Sequence, residues 1–203
     1  MSGGRSAQAA IAIILAGGRG SRLGGRDKAA ITLGGERLVD RAVSAARDGG
    51  ALAVIVAGPA AAVPPGCIGV REEPAYGGPL AALAAALERP EAATATETLL
   101  LSCDLVDPAA VVGRLSGARW PAGADALVLR DPDGREQWLA GRYRLAPLRE
   151  GVTALGAVSG LPIRQALSGL RIAWLDTAAD DVADIDTPED LDRARARSEL
   201  GAD

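Results

Sequence analysis

The chain contains no histidine and no phenylalanine, and only two cysteines among 203 residues. Without histidine there is no Ser-His-Asp or Cys-His catalytic arrangement, no imidazole general base and no His-ligated zinc. Any metal must then be a hard ion held through oxygen, such as Mg2+. Cys67 and Cys103 form no CxxC pair, and both read as buried, reduced thiols of a cytoplasmic protein. A basic surplus is also missing: the formal net charge is −4, which argues against a nucleic-acid partner. "MSGGRSAQAA" leads into only a short apolar run, and no stretch approaches membrane-spanning length, so no leader and no membrane partner are expected. Aromatic residues are scarce, with three Trp and two Tyr. The 48% apolar fraction must therefore build its core from small aliphatic side chains packed closely.

Short apolar runs alternate with amphipathic ones. Strands are expected at 11–16, 52–57, 67–71, 98–103, 125–130, 138–144 and 171–176, several of them apolar throughout, as strands covered on both faces are. Helices are expected at 38–47, 79–88, 108–115, 162–167 and 188–197, often with Pro in the first turn. In "DTPEDLDRARA", Thr187 reads as N-cap and Pro188 as the first helical residue. The alternation predicts a Rossmann-like, doubly wound α/β fold, mostly parallel, with helices on both faces of the sheet. One domain spanning 1–203 is expected, frayed at 1–9 and 199–203.

"LAGGRGSRLGGRDKAAITLGG", residues 15–35, follows the first strand and carries seven glycines and four basic side chains. Glycines there let backbone N–H groups converge on an anion, and in open α/β folds ligands bind where loops leave the carboxyl ends of strands. The stretch is not a Walker A loop, since Lys28 follows Asp27 and precedes Ala29. It is not the G-x-G-x-x-G dinucleotide fingerprint either, because the last position falls on Leu23. Its spacing, AGG-xxx-R-x-GG-x-DK, sets Arg22 and Lys28 on two sides of a triphosphate; the plainer alternative is a glycine turn with solvated cations. "LLLSCD" places Asp104 just past a central strand on the same rim, where a carboxylate is a natural Mg2+ ligand. Asp107 is the better candidate to cap the following helix.

The loop closely resembles the signature of the molybdenum cofactor guanylyltransferase family of nucleotidyltransferases. "EEPAYGGPLAALAAAL" (72–87), "LLLSCDL" (99–105), "REQWLAGRYR" (135–144) and "DIDTPEDLDRAR" (184–195) resemble its further motifs, in the family's order. The resemblance implies transfer of GMP from GTP to the terminal phosphate of molybdopterin, releasing pyrophosphate. It implies nucleotide contacts at Leu15, Ala16, Gly17, Gly18, Lys28, Glu72, Gly78 and Asp104, catalytic roles for Arg22, Lys28 and Asp104, and metal ligation by Asp104 and Asp186. Molybdoenzyme apoproteins or cofactor-delivery proteins are further expected partners. This chain departs from the pattern at Ala57-Gly58-Pro59, where the family supplies Asn, at "CDLV", and at Trp138 in place of Pro. A CTP-dependent cytidylyltransferase, another nucleotidyltransferase acting on a phosphate acceptor, and a non-catalytic nucleotide binder are the rival readings. The missing histidine agrees with a phosphate nucleophile, which is already an anion and needs positioning and charge neutralisation rather than a base.

Overall fold

The structure, a computed structural model, describes residues 10–17 and 28–200. A seven-stranded sheet is built from β1 (Ala10–Leu15), β4 (Val54–Ala57), β5 (Ile68–Val70), β6 (Glu97–Ser102), β7 (Ala126–Arg130), β8 (Glu136–Arg144) and β9 (Ile172–Asp176). A separate two-stranded ribbon joins β2 (Thr32–Leu33) to β3 (Glu36–Arg37). Strand order in the large sheet is β5-β4-β1-β6-β8-β7-β9, and only β8 runs antiparallel to its neighbours. All seven strands coincide with the runs expected from sequence, and the mixed, mostly parallel α/β architecture is as expected.

The apolar central strands show why the sheet has two covered faces. Along β1, Ala12 and Ile14 enter one core cluster while Ile11, Ile13 and Leu15 enter the other, as alternate residues of a strand must. The first face is covered by α1 (Leu38–Asp48) and α4 (Pro108–Gly117), through Val39, Val43, Val111 and Leu115. The second is covered by α2 (Pro79–Leu87), α3 (Pro90–Thr94), α5 (Leu145–Thr153) and α6 (Arg164–Leu167), through Leu80, Leu83, Leu148 and Leu167. A smaller cluster of Ile31, Leu33, Leu38, Ile185 and Leu191 fastens α7 (Pro188–Leu200) and the β2–β3 ribbon beside the main sheet.

The chain steps from β1 outward to β4 and β5, then returns to β6 on the other side of β1. The winding direction therefore reverses between β1 and β6, and the loops leaving their carboxyl ends diverge over a crevice suited to a ligand. At the far side, β8 is bulged: Val128 pairs Gly141 while the next residue, Leu129, pairs Gln137. The bulge frees the Trp138 carbonyl, which accepts a 2.7 Å hydrogen bond from the fully buried Tyr143 hydroxyl. Burial pushes that phenol well above its usual range, so it stays a donor.

Some expectations are corrected. α7 runs to Leu200, and the remaining residues expected to fray, 1–9 and 201–203, lie outside the described residues. Cys67 is only half-buried, next to an edge strand, with Arg47 Nη2 3.5 Å from its sulfur; Cys103 is buried as expected, and neither is in a disulfide. α6 starts at Arg164 rather than at 162, because Pro162 and Ile163 form a tighter turn whose carbonyls accept from Gln165 and Ala166. No helix among the described residues is long and apolar enough to cross a membrane.

Candidate active site

Asp104 stands two residues beyond β6, at the reversal of the winding. Its backbone is fixed from two sides. The preceding Cys103 N–H donates to the Leu15 carbonyl at 3.1 Å, and the Asp104 carbonyl accepts from Ile185 N–H at 3.0 Å. Val106 N–H donates to the Ala183 carbonyl at 2.8 Å, and Leu105 bridges Asp184, so segments 104–106 and 183–185 lie side by side. Ile185 is fully buried in the smaller cluster. In an extended segment its neighbours then turn the other way, which puts Asp184 and Asp186 on the site side. The start of α7 holds that segment: the Asp190 carboxylate accepts from the backbone N–H of Asp186 (3.2 Å) and Thr187 (2.8 Å), while Thr187 Oγ1 caps Asp190 N–H at 3.2 Å. Thr187 is the expected cap, and Asp107 likewise caps α4 through Ala110 N–H at 2.9 Å.

Lys28 reaches into this corner from the short 3-10 turn Lys28–Ala30. Its Nζ lies 2.7 Å from Asp104 Oδ2 and also donates to Asp186 Oδ1, and Ser102 Oγ donates to the other Asp104 oxygen. Burial works against the charged ammonium, but the charges and hydrogen bonds of Asp104 and Asp186 outweigh it and hold Lys28 well above the usual lysine range. Partial desolvation, together with the negative charges of Asp104 and Asp186, raises the neighbouring Asp184 above the usual carboxylate range. Among the described residues, the corner thus carries more negative charge than one ammonium balances.

This donor set fits a hard divalent cation. Two carboxylates already converge on one cationic centre, and such ions take one or two carboxylates and complete their shell with phosphate and water oxygens. Among the described residues no group of three or more His, Cys, Asp or Glu side chains could hold a metal by itself. Asp104 and Asp186 would be the ligands.

Leu15 ends β1 beside this corner, and Ala16 and Gly17 follow, Gly17 exposed on the rim. One part of the expected phosphate cradle is corrected: Ala16 N–H donates to the Ala57 carbonyl at 2.8 Å and so is not turned to a ligand. Gly58 makes that pairing possible, since a Cβ there would come within 2.9 Å of the Ala16 carbonyl carbon and oxygen. Gly18 and Arg22 lie outside the described residues. Glu72 is 7% exposed and accepts from Tyr76 N–H at 3.0 Å, within the loop between β5 and α2, and Gly78 (φ +92°) forms the N-cap of α2.

Residues 12–169 match the MobA-like NTP transferase domain, more than half of the chain. The chain belongs to the MobA-like NTP transferase family. It is 32% identical over 194 residues to the molybdenum cofactor guanylyltransferase of Rhodobacter capsulatus, covering 91% of this chain and 94% of that protein. It is 34% identical over 200 residues to the enzyme of the same name from Cereibacter sphaeroides strain ATCC 17029, with the same coverage. Among solved structures it superposes on molybdopterin-guanine dinucleotide biosynthesis protein A from Archaeoglobus fulgidus with a TM-score of 0.67, at 18% identity, covering 94% of this chain and 99% of that one. The last likeness bears on fold.

In this MobA-like transferase the sequence pointed to Lys28, Asp104 and Asp186, which the fold brings to one corner, and to Glu72 and Gly78, which it sets on a neighbouring loop. Sequence reading passed over Ser102 and Asp184. The D-x-D spacing of 184 and 186 was the available signal, because residues two apart on an extended segment share a side. Nothing local marked Ser102; only the turn after β6 brings its hydroxyl back to Asp104.

Proposed function

We propose that the chain transfers the GMP unit of GTP to the terminal phosphate of molybdopterin, forming the guanine dinucleotide and pyrophosphate. The observation that carries this reading is the Lys28 ammonium set between Asp104 and Asp186 at the carboxyl ends of β1 and β6. The family and the names of its relatives supply the substrates. A phosphate oxygen of the acceptor attacks the α-phosphorus of GTP, the bond between that phosphorus and the bridging oxygen breaks, and the electron pair leaves with pyrophosphate. No proton has to be removed from the nucleophile, which agrees with a chain that has no histidine.

Lys28, and Arg22 from the glycine-rich loop, neutralise the triphosphate and the leaving pyrophosphate. Losing Lys28 costs about 2–4 kcal/mol of transition-state stabilisation, as for other preorganised charge stabilisers. Leu15, Ala16, Gly17 and Gly18 line the nucleotide, with Gly17 and Gly18 offering the unobstructed backbone. Ser102 orients the Asp104 carboxylate by a hydrogen bond. Asp104 and Asp186 would hold Mg2+, which would supply charge neutralisation at the phosphates beyond that of the cationic side chains.

Calorimetric titration of GTP and of CTP, each with Mg2+, into the wild type and Asp104→Ala tests the reading. Tight GTP binding that weakens without Asp104 is expected. A preference for CTP would move the activity to cytidylyl transfer, and binding of neither would overturn the triphosphate site.

A further inference from the structure

Lys28, Asp104 and Asp186 come from segments far apart in sequence, and α1 joins two of those segments. The Lys28 carbonyl accepts from Ile31 N–H at 3.2 Å, and the Ile31 carbonyl accepts at 2.9 Å from the N–H of Leu38, the first residue of α1. The turn that carries the ammonium is thus bonded to the start of that helix. About one turn along α1, Arg41 Nη2 donates to the Val106 carbonyl at 3.0 Å. Val106 N–H is bonded to the Ala183 carbonyl, so both backbone groups of this residue are engaged, one toward each neighbouring segment. The contacts close a circuit that runs from Lys28 through Ile31, Leu38, Arg41, Val106 and Asp104, and back to Lys28 through the 2.7 Å ion pair.

Arg41 supplies the directional link of that circuit between α1 and segment 104–106. Leu38 and Val106 also meet in the smaller apolar cluster, but apolar contact attracts without direction, whereas a hydrogen bond weakens steeply away from its best length and angle. Arg41 is also costly where it stands. It is half-buried, it forms no ion pair among the described residues, and its Nε is buried without a partner. A buried donor left unmade costs stability, and sequences depart from such local rules where function asks for it. Arg47, on the same helix, is the contrast: it is exposed and donates to the Pro65 carbonyl, ahead of β5 and away from the corner.

We infer that Arg41 is a positioning residue, which through the Val106 carbonyl fixes the distance between the Lys28 ammonium and the Asp104 carboxylate. The inference rests on the guanylyl-transfer reading only for the kinetic arm of its test. Stabilising a phosphoryl-transfer transition state depends on accurate placement of charge, so a shift of segment 104–106 acts on turnover more than on nucleotide affinity.

Lys28 is the only lysine of the chain, so selective nitrogen-15 labelling of lysine gives a single side-chain ammonium resonance, read by NMR without metal or substrate. In the wild type it is the resonance of an ammonium held by two carboxylates and slow to exchange its protons with water. Arg41→Met, which keeps an unbranched stem and no donor, shifts that resonance and speeds the exchange, whereas Arg47→Met leaves both unchanged. Arg41→Gln, too short to reach the carbonyl, gives the same result with a less apolar replacement. With GTP, Mg2+ and molybdopterin, Arg41→Met lowers kcat at least about tenfold, toward the roughly hundredfold cost of a 1 Å misplacement, and leaves KM for GTP within about twofold. Arg41→Lys, which keeps a charged donor, recovers part of that kcat. An unchanged Lys28 resonance in Arg41→Met and Arg41→Gln, an equal change in Arg47→Met, or a loss confined to KM for GTP would overturn the inference. A wild type that shows the held ammonium but no turnover would overturn the functional reading, and the resonance alone would then decide the role of Arg41.

Discussion

Replacing Lys28 by Met keeps the length of the side chain and removes its charge, leaving Asp104 and Asp186 facing one another with Asp184 close by. In the native corner the Lys28 and Asp104 side chains are 22% and 10% exposed and 2.7 Å apart, so they form a largely desolvated pair. Leaving one charge of a buried pair without its partner costs several kcal/mol, but Asp186 is 41% exposed and solvent screens its share. A net loss of about 2 kcal/mol follows, close to that of a charged hydrogen bond left unmade. For a chain of this length that is a fall of about 4–8 °C in Tm in chelator-treated buffer. A divalent cation at about a hundredfold its Kd contributes about 2.7 kcal/mol through linkage, so Mg2+ should restore the variant. The wild type should gain less, since its own ammonium already occupies the corner, and Lys28→Met combined with Asp104→Asn should gain least. Differential scanning fluorimetry with and without Mg2+ measures all of this. Equal Mg2+ shifts in all three proteins, or a Lys28→Met variant as stable as wild type in chelator, would refute the reasoning.

Gly58→Ala should destabilise the fold by about 1–3 kcal/mol by overpacking, since its Cβ would sit 2.9 Å from the Ala16 backbone; it should also raise KM for GTP by displacing the β1 turn. Urea unfolding and initial rates together check both effects. Tyr143→Phe leaves the Trp138 carbonyl without its 2.7 Å donor and should lower the unfolding free energy by about 1–2 kcal/mol without filling or emptying core volume. The side-chain hydrogen bond from Arg171 holds Asp125 down at about 2, below the usual carboxylate value of about 3.9. Its folded pKa is depressed, so the stability it contributes is fully present above about pH 4 and is lost as pH falls through about 2. Asp125→Asn should therefore unfold at lower urea than wild type at pH 7, by a small margin because Arg171 is exposed, and approach it only once pH falls below about 2.

The fold was legible where the chain is apolar on both faces. "AIAIIL", "VIVA" and the buried stretch of "ETLLLS" leave no choice but central strands, and all seven strands of the sheet lie where their composition puts them. α5 was not read, because it follows β8 directly and carries Pro147, and only packing of Leu145, Leu148 and Val152 on the sheet makes it a helix. The β2–β3 ribbon is two residues on each side, too short for periodicity to show, and depends on α7 packed beside it. In the site, Lys28 and Asp104 could be named because a glycine-rich turn and a strand end are local signals. That Lys28 would be gripped by two carboxylates 76 and 158 residues away was not legible, since it depends on segments 104–106 and 183–185 lying side by side.

The most direct test is pyrophosphate release on mixing the protein with Mg2+, GTP and molybdopterin, followed by isolation of the product. Pyrophosphate should appear in equal amount with the guanine dinucleotide, depend on both substrates, and fall at least a hundredfold in Lys28→Met and Asp104→Ala, the scale of lost preorganised charge stabilisation. Release that needs no acceptor, that runs faster with CTP, or that survives both substitutions would contradict guanylyl transfer at this corner.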